Sequence, residues 1–233
     1  MKEYYLDTNN YELVKITTEN LPESVITPTI NLGLEKHIFK TIVHLADIHF
    51  KGKMYDPAIT EMYTIQFENL NAQLNNLDPK TTLIVIVGDI FHTGLNLESD
   101  TIVYAKLRIK ELADKFPVLM TSGNHDISAR FPNRVDTVQA VFNGFHKNVY
   151  IITKTGRYTL GNIQFDFKDL FPSDNFSSPF TSPKSPNTFN IALYHGTVIG
   201  SKIGVINEND NLISRISDDG LDPSEFNNYD LVL

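Results

Sequence analysis

The sequence predicts an α/β layered domain, and three observations carry that prediction. Short aliphatic and β-branched runs alternate with helical periodicities from residue 41 to about residue 142. The strand runs are apolar throughout, as strands covered on both faces are. The chain of 233 residues is 41% hydrophobic and 21% charged, which is enough for a sizeable core and too ordered a composition for a disordered or fibrous chain.

The elements follow in order. Residues 1–36 are polar and without clear period, carry Asn9-Asn10, Leu21-Pro22 and Thr27-Pro28, and read as a lead-in segment. Thr41-Ile42-Val43-His44-Leu45-Ala46 reads as a buried strand. Asp56-Pro57 then reads as a helix cap with proline at the first helical position, followed by a face of Ile59, Met62, Ile65, Leu70, Leu74 and Leu77 up to Asp78-Pro79. Leu83-Ile84-Val85-Ile86-Val87 is the strongest strand signal. A helix over 99–115 presents Ile102, Val103, Leu107, Ile109 and Leu112, Val118-Leu119-Met120 is the next strand, and 135–142 a short helix.

Past Asn148 strands dominate. Residues 149–153, 158–160 and 163–165 read as antiparallel pieces, the last two around a tight turn at Gly161-Asn162. A Ser-, Pro- and Asn-rich loop over 172–187 precedes a strand over 190–194, and 229–233 begins another.

Composition narrows the chemistry. The chain has no cysteine, which excludes a disulfide scaffold, a thiolate-ligated zinc or iron–sulfur site and a thiol nucleophile. With 28 acidic against 20 basic residues the net charge is −8, so binding a polyanion calls for local cations, bound metals foremost. No apolar run reaches the ~18–20 residues of a membrane span and the N-terminus is not a signal peptide, so the expectation is a soluble intracellular protein with no membrane partner.

Four polar clusters share one placement, the C-terminal end of an apolar strand: Asp47-Ile48-His49, Gly88-Asp89-Ile90-Phe91-His92, Gly123-Asn124-His125-Asp126 and His195-Gly196. That edge is where ligands collect in α/β sheets. Singly, each cluster is ordinary turn or capping polarity. Together they make a cysteine-free Asp/His/Asn donor set, which suits a dimetal site of Mn²⁺, Fe or Zn²⁺. On an extended backbone, residues two apart such as Asp47 and His49 point the same way and can grip one ion. Gly88 and Gly123 suit sharp turns where backbone approaches an ion or phosphate closely. Lys51 and Lys53, just after Asp47-Ile48-His49 with Gly52 between them, have a slightly better claim to phosphate contact than Arg130, Arg134 and Lys147, which read as solvated surface. His44 reads as structural.

At these residues the chain resembles the calcineurin-like metallophosphoesterase superfamily, whose pattern runs Asp-x-His, Gly-Asp, Gly-Asn-His-Asp/Glu, His and finally Gly-His-x-His. The resemblance extends from Ile42 to the C-terminus. It implies a two-layer β-sandwich core flanked by helices, an α/β (α+β) arrangement, with two divalent ions at the strand ends, Mn first and Fe or Zn as alternatives. It implies that Asp47 and His49 hold one ion, that Asp89 bridges both, and that Asn124 and His195 hold the other. His125 would protonate the leaving oxygen or stabilise charge on the phosphate, oriented by Asp126, and His92 would contact the scissile phosphate.

The second motif has no Arg-Gly element and the third ends in Asp126 rather than Glu. With His92 three residues after Asp89, the chain is similar to the SbcD-type DNA-repair exonuclease branch. That branch implies DNA as substrate and an SMC-like coiled-coil ATPase of the SbcC type as partner, with a homodimer left open. Tyr229-Asp230-Leu231-Val232-Leu233 looks like the strand before the final motif. The expectation is therefore a metallophosphoesterase domain over 37–233, cut before its last ligands. Hydrolysis of small phosphoesters or nucleotides, or a non-catalytic binding domain, are the alternative readings.

Overall fold

The computed structural model describes residues 4–7, 12–15, 29–94, 96–128, 130, 134–170, 180, 188–206 and 212–233. The expected loop over 172–187 lies outside these residues, Phe180 apart. Near the N-terminus β1 (Tyr4–Asp7) and β2 (Glu12–Lys15) pair antiparallel.

The first sheet holds β4 (Thr41–Ala46), β5 (Thr82–Val87), β6 (Val118–Thr121) and β7 (Val149–Ile152), in that order and parallel throughout. Three helices connect them: α1 (Pro57–Leu74), α2 (Ser99–Ala113) and α3 (Thr137–Phe142). Residues 149–152 were expected among the antiparallel pieces. They pair parallel with β6 instead, because α3 returns the chain to the start of the sheet as a crossover.

The second sheet contains β3 (Thr29–Asn31), β8 (Gly156–Leu160), β9 (Ile163–Phe167), β10 (Phe189–Leu193) and β13 (Leu231–Val232), in the order β13-β10-β9-β8-β3. β8 and β9 form the expected antiparallel hairpin, with Gly161 at φ 59° in its turn, and the other neighbours are parallel. The lead-in segment thus contributes an edge strand, β3. Between β10 and β13 an antiparallel pair, β11 (Lys202–Ile206) and β12 (Leu212–Ile216), adds a hairpin absent from the sequence reading.

The two sheets pack face to face. Leu83, Val85, Val87, Leu119 and Ile152 from the first meet Leu160, Ile163, Phe165, Phe167, Ile191 and Leu193 from the second. The alternate residues Ile84, Ile86, Val118 and Met120 turn to the other face and pack under α1, α2 and α3. This alternation makes β5 apolar at every position after Thr82, all six of its residues being buried. The result is the expected two-layer sandwich flanked by helices. Among the described residues no helix is long and apolar enough to cross a membrane.

Both long helices bury part of the expected stripe (Leu74 in α1, Ile109 and Leu112 in α2, with Ile59, Leu70, Leu77 and Ile102 packed against the core) and shift the rest. Asp56 caps α1 as its sequence indicates, its carboxylate accepting the Ala58 N–H at 2.9 Å with Pro57 next. The buried residues of α1 are Tyr63, Phe67 and Leu74, whereas Met62 and Ile65 face outward. In α2, Tyr104, Ala105, Ile109 and Leu112 are buried and Val103 and Leu107 are exposed. Aromatic rings win the core positions because they bury more area per residue.

The second sheet's outer face carries a buried ion pair. Arg157 donates to both oxygens of the fully buried Asp166, at 2.9 and 2.8 Å, and the Tyr229 hydroxyl donates to the same carboxylate at 2.6 Å. Asp230 accepts the Asn190 N–H at 2.9 Å. These bonds dock the segment that leads into β13 against β9 and β10.

Candidate metal centre

All four polar clusters meet at one edge of the sandwich, where β4, β5, β6 and β10 end. The first two loops run beside each other. His49 N–H donates to Asp89 O at 2.9 Å, Phe50 N–H to Ile90 O at 2.8 Å, and His92 N–H to Phe50 O at 3.1 Å. Asp47, His49 and Asp89 hold φ of 53°, 50° and 48°, with Gly88 at 72°. The extended backbone expected for Asp47-Ile48-His49 is therefore replaced by left-handed turns at both ends. Even so, the two side chains converge, His49 Nε2 lying 3.5 Å from Asp47 Oδ1.

Asp89 is the hub. Its Oδ2 lies 3.4 Å from His49 Nε2, 3.3 Å from His195 Nε2 and 3.8 Å from His125 Nε2, while its Oδ1 accepts the His125 N–H at 2.9 Å. Burial alone would push this carboxyl up. The His195 imidazole and the His125 amide outweigh burial and hold it below the ordinary carboxylate range. For His195 burial would favour the neutral ring, but the Asp89 carboxylate prevails and raises it above the usual imidazole value.

Two rings are aimed by backbone carbonyls. His195 Nδ1 sits 3.1 Å from Val87 O, and His125 Nδ1 sits 2.6 Å from His92 O. Both imidazoles thereby present Nε2 toward Asp89. Here one expectation is corrected. Asp126 does not orient His125: its carboxylate, fully buried, accepts the N–H groups of Ile90, Phe91 and Gly123 at 3.1, 2.9 and 2.9 Å, which ties the second and third motif loops together. The Asp126 carboxylate is engaged by three loop amides, and it is the His92 carbonyl that meets His125 Nδ1 and takes the orienting part.

His92 itself is exposed. Its ring stacks on His125 with centroids 5.7 Å apart and meets His49 edge-on at 5.4 Å. Asn124 is exposed and lines, with His44, Asp47, Tyr194, His195 and Thr197, a cavity of about 390 Å³. His44 is thus a cavity wall, beyond the structural part expected for it.

At Gly88 and Gly123, expected where backbone nears an ion or phosphate, the close approaches are to side chains of the site. A Cβ on Gly88 would lie 2.3 Å from the His195 ring, and one on Gly123 would lie 2.2 Å from Asp89 Oδ1. Tyr63 of α1 was absent from the expected helix face and is part of the site's frame. Its hydroxyl donates to the His49 carbonyl and accepts the Lys51 N–H at 3.1 Å, clamping the loop that carries His49. Only the tyrosine's place, two turns past the cap and amid apolar residues, could have signalled this. Tyr63→Phe is expected to lower divalent-metal affinity about 10–100-fold, as loss of a ligand's supporting bond does, at a stability cost of only about 1 kcal/mol. Chelator-competition titration beside thermal melting checks this.

Two donor trios stand ready for ions: Asp47, Asp89 and His195, and His49, His92 and His125, each with its ligating atoms within 4.8 Å of one another. The donors are carboxylate oxygens and imidazole nitrogens without sulfur, and two of the imidazoles already have Nδ1 satisfied by a carbonyl. That is how ligating histidines are held, so the residues fit a divalent centre.

A buried carboxylate faced by three imidazoles at the strand ends of a sandwich suits a divalent-metal centre of the phosphoesterase kind. The comparisons agree: the family model described as calcineurin-like phosphoesterase matches residues 40–227, and the chain belongs to that family, whose members bind dimetal centres. The chain is also similar to "Uncharacterized protein R555" of Acanthamoeba polyphaga mimivirus, with 28% identity over 207 residues, which is 85% of this chain. It spans about 15% of that relative's length.

Proposed function

We propose that the chain hydrolyses phosphodiester bonds in nucleic acid as a Mn²⁺-dependent nuclease of the SbcD type. The observation that carries the reading is the pair of stacked imidazoles, His92 and His125, on the open side of the Asp89 hub. Asp47, His49, Asp89, Asn124 and His195 would hold the ions, which supply positive charge against phosphate oxygens and acidify water at the site. The chain's own residues do the rest. His125, with Nδ1 held by the His92 carbonyl, offers Nε2 to hold a proton for the leaving oxygen. His92 stands exposed beside it as a second contact for the phosphate. An SbcC-type ATPase as partner, and a homodimer, belong to the same reading.

The test is cleavage of a labelled oligonucleotide with and without Mn²⁺. His125→Ala is expected to lower the rate about 10²–10⁴-fold, the usual size of a general-acid contribution. Metal-independent cleavage, or cleavage undiminished in His125→Ala, would sink the reading.

A further inference from the structure

Residues 51–55 leave the centre directly after His49 and Phe50, and their backbone is held on every side. The Lys51 N–H donates to the Tyr63 hydroxyl, and the Lys51 carbonyl accepts from Thr101 Oγ1 at 3.2 Å. The Lys53 N–H donates to Glu98 Oε2 at 2.9 Å, and its carbonyl accepts the Asp56 N–H at 2.8 Å. Lys53 sits at φ 65°, in the left-handed region that lysine rarely adopts. Met54 is buried beneath the loop.

The remaining side chains face solvent. Lys51 and Lys53 are exposed, and Tyr55 is 64% exposed, one of the largest values among the described apolar residues. Among the described residues neither ammonium group forms an ion pair, although acids outnumber bases 28 to 20 in the chain. Glu98 spends a carboxylate oxygen on the Lys53 amide. Phe50, immediately before the loop, touches the open side of the centre, since its carbonyl accepts the His92 N–H. A solvated surface lysine needs no strained, fourfold-held backbone. A contact surface does, because strain persists where the surrounding structure fixes a functional geometry.

We propose that residues 51–55 form a strand-binding rim: Lys51 and Lys53 hold phosphates flanking the one cleaved, and Tyr55 stacks on a base of a single-stranded segment. This rests on the nucleic-acid reading above and specifies how the strand is held. Ammonium groups bind backbone phosphate without regard to sequence, and an exposed aromatic face accepts any base. In a chain of net charge −8, two unpaired cations beside the centre supply the attraction that the overall charge does not.

The test uses fluorescence anisotropy of a labelled single-stranded oligonucleotide in Ca²⁺. It runs beside Mn²⁺-dependent hydrolysis of that oligonucleotide and of an aryl phosphodiester, with thermal melting of each variant. The Lys51→Ala/Lys53→Ala chain is expected to bind the oligonucleotide at least tenfold more weakly. Its slope of log affinity against log salt should be shallower by about 1.4, at ~0.7 per phosphate contact on a single strand. Tyr55→Ala should lose at least about fivefold, as removal of a stacking platform does. Hydrolysis of the oligonucleotide should fall at least tenfold more than that of the aryl ester, and Lys80→Ala, remote and exposed, should change neither. Unaltered binding, or an equal fall on both substrates, overturns the rim while leaving the phosphoesterase reading in place. Wild-type binding that depends on these residues, without hydrolysis of either substrate, supports the rim and overturns the hydrolase reading. Aryl ester hydrolysis by a wild-type chain that does not bind the oligonucleotide overturns the rim and leaves a small-ester hydrolase.

Discussion

Gly123→Ala is expected to cost the chain its metal ions and to bring phosphoesterase activity down to background. The added Cβ would lie 2.2 Å from Asp89 Oδ1 and 2.3 Å from the Asp89 nitrogen, where contacts under 3.0 Å force a shift. Neither atom can yield cheaply. The nitrogen is backbone, and Oδ1 is already bonded to the His125 N–H. Displacing Asp89 moves the one carboxylate that His49, His125 and His195 all face. Overpacking of this kind costs about 1–3 kcal/mol of stability, so the fold survives while the centre does not. Metal content by mass spectrometry, beside thermal melting, reads the two effects separately. Gly144→Ala is the control: its φ of 66° imposes backbone strain of about 1 kcal/mol, but nothing lies within 4 Å of the new carbon. A Gly123→Ala chain holding two ions with full activity would contradict the placement of Asp89.

The second large effect falls on stability. Asp126→Ala removes the acceptor for three buried amide groups at once, those of Ile90, Phe91 and Gly123. Each orphaned donor costs about 1–3 kcal/mol, so a loss of about 4 kcal/mol or more is expected from urea unfolding, a large share of a domain's net stability. Asp126→Asn keeps an acceptor and should cost less. The comparison of wild type with Asp126→Asn also has a pH signature, measured with metal removed by chelation. Burial pushes the Asp126 carboxyl up to about 6, against three amide bonds that pull it down. The folded chain therefore holds this proton more tightly than the unfolded chain, whose carboxyl titrates near 3.8. Its contribution is fully present below about pH 4 and is lost as pH rises to about 6, at up to about 1.4 kcal/mol per pH unit. Wild-type stability relative to Asp126→Asn should fall across that window and level off above it. A difference that rises with pH would show the carboxylate to be the favoured buried form.

Much of this architecture was legible because one signal repeated. The apolar runs of β4, β5, β6 and β10 and the polar clusters at their ends are local features, and Asp56-Pro57 marks its helix without tertiary context. What escaped depends on the partner. Whether Met62 or Tyr63 faces the core is settled by the sheet beneath α1, and both readings have helical spacing. β3 is three residues long and needs β8 beside it to be a strand. The direction of β7 follows from α3, not from its own residues. In the site, the residue types were readable but their division of labour was not. The bonds of the Asp126 carboxylate to backbone 35 and 36 residues away, and the carbonyls that aim His125 and His195, leave no trace in side-chain pattern.

The left-handed turns at Asp47, His49 and Asp89 bear on how such a site decays over generations. Aspartate and histidine are among the few side chains that settle in that backbone region at small cost, whereas a β-branched replacement would strain the loop whether or not an ion were present. A lineage released from the need to catalyse would therefore exchange these residues for Asn or Gly long before Val or Ile. Its loops would keep their course and its motifs a family look after the chemistry had gone. The left-handed turns constrain the spelling of these loops, whereas the meeting of imidazoles on one buried carboxylate is the feature tied to metal chemistry.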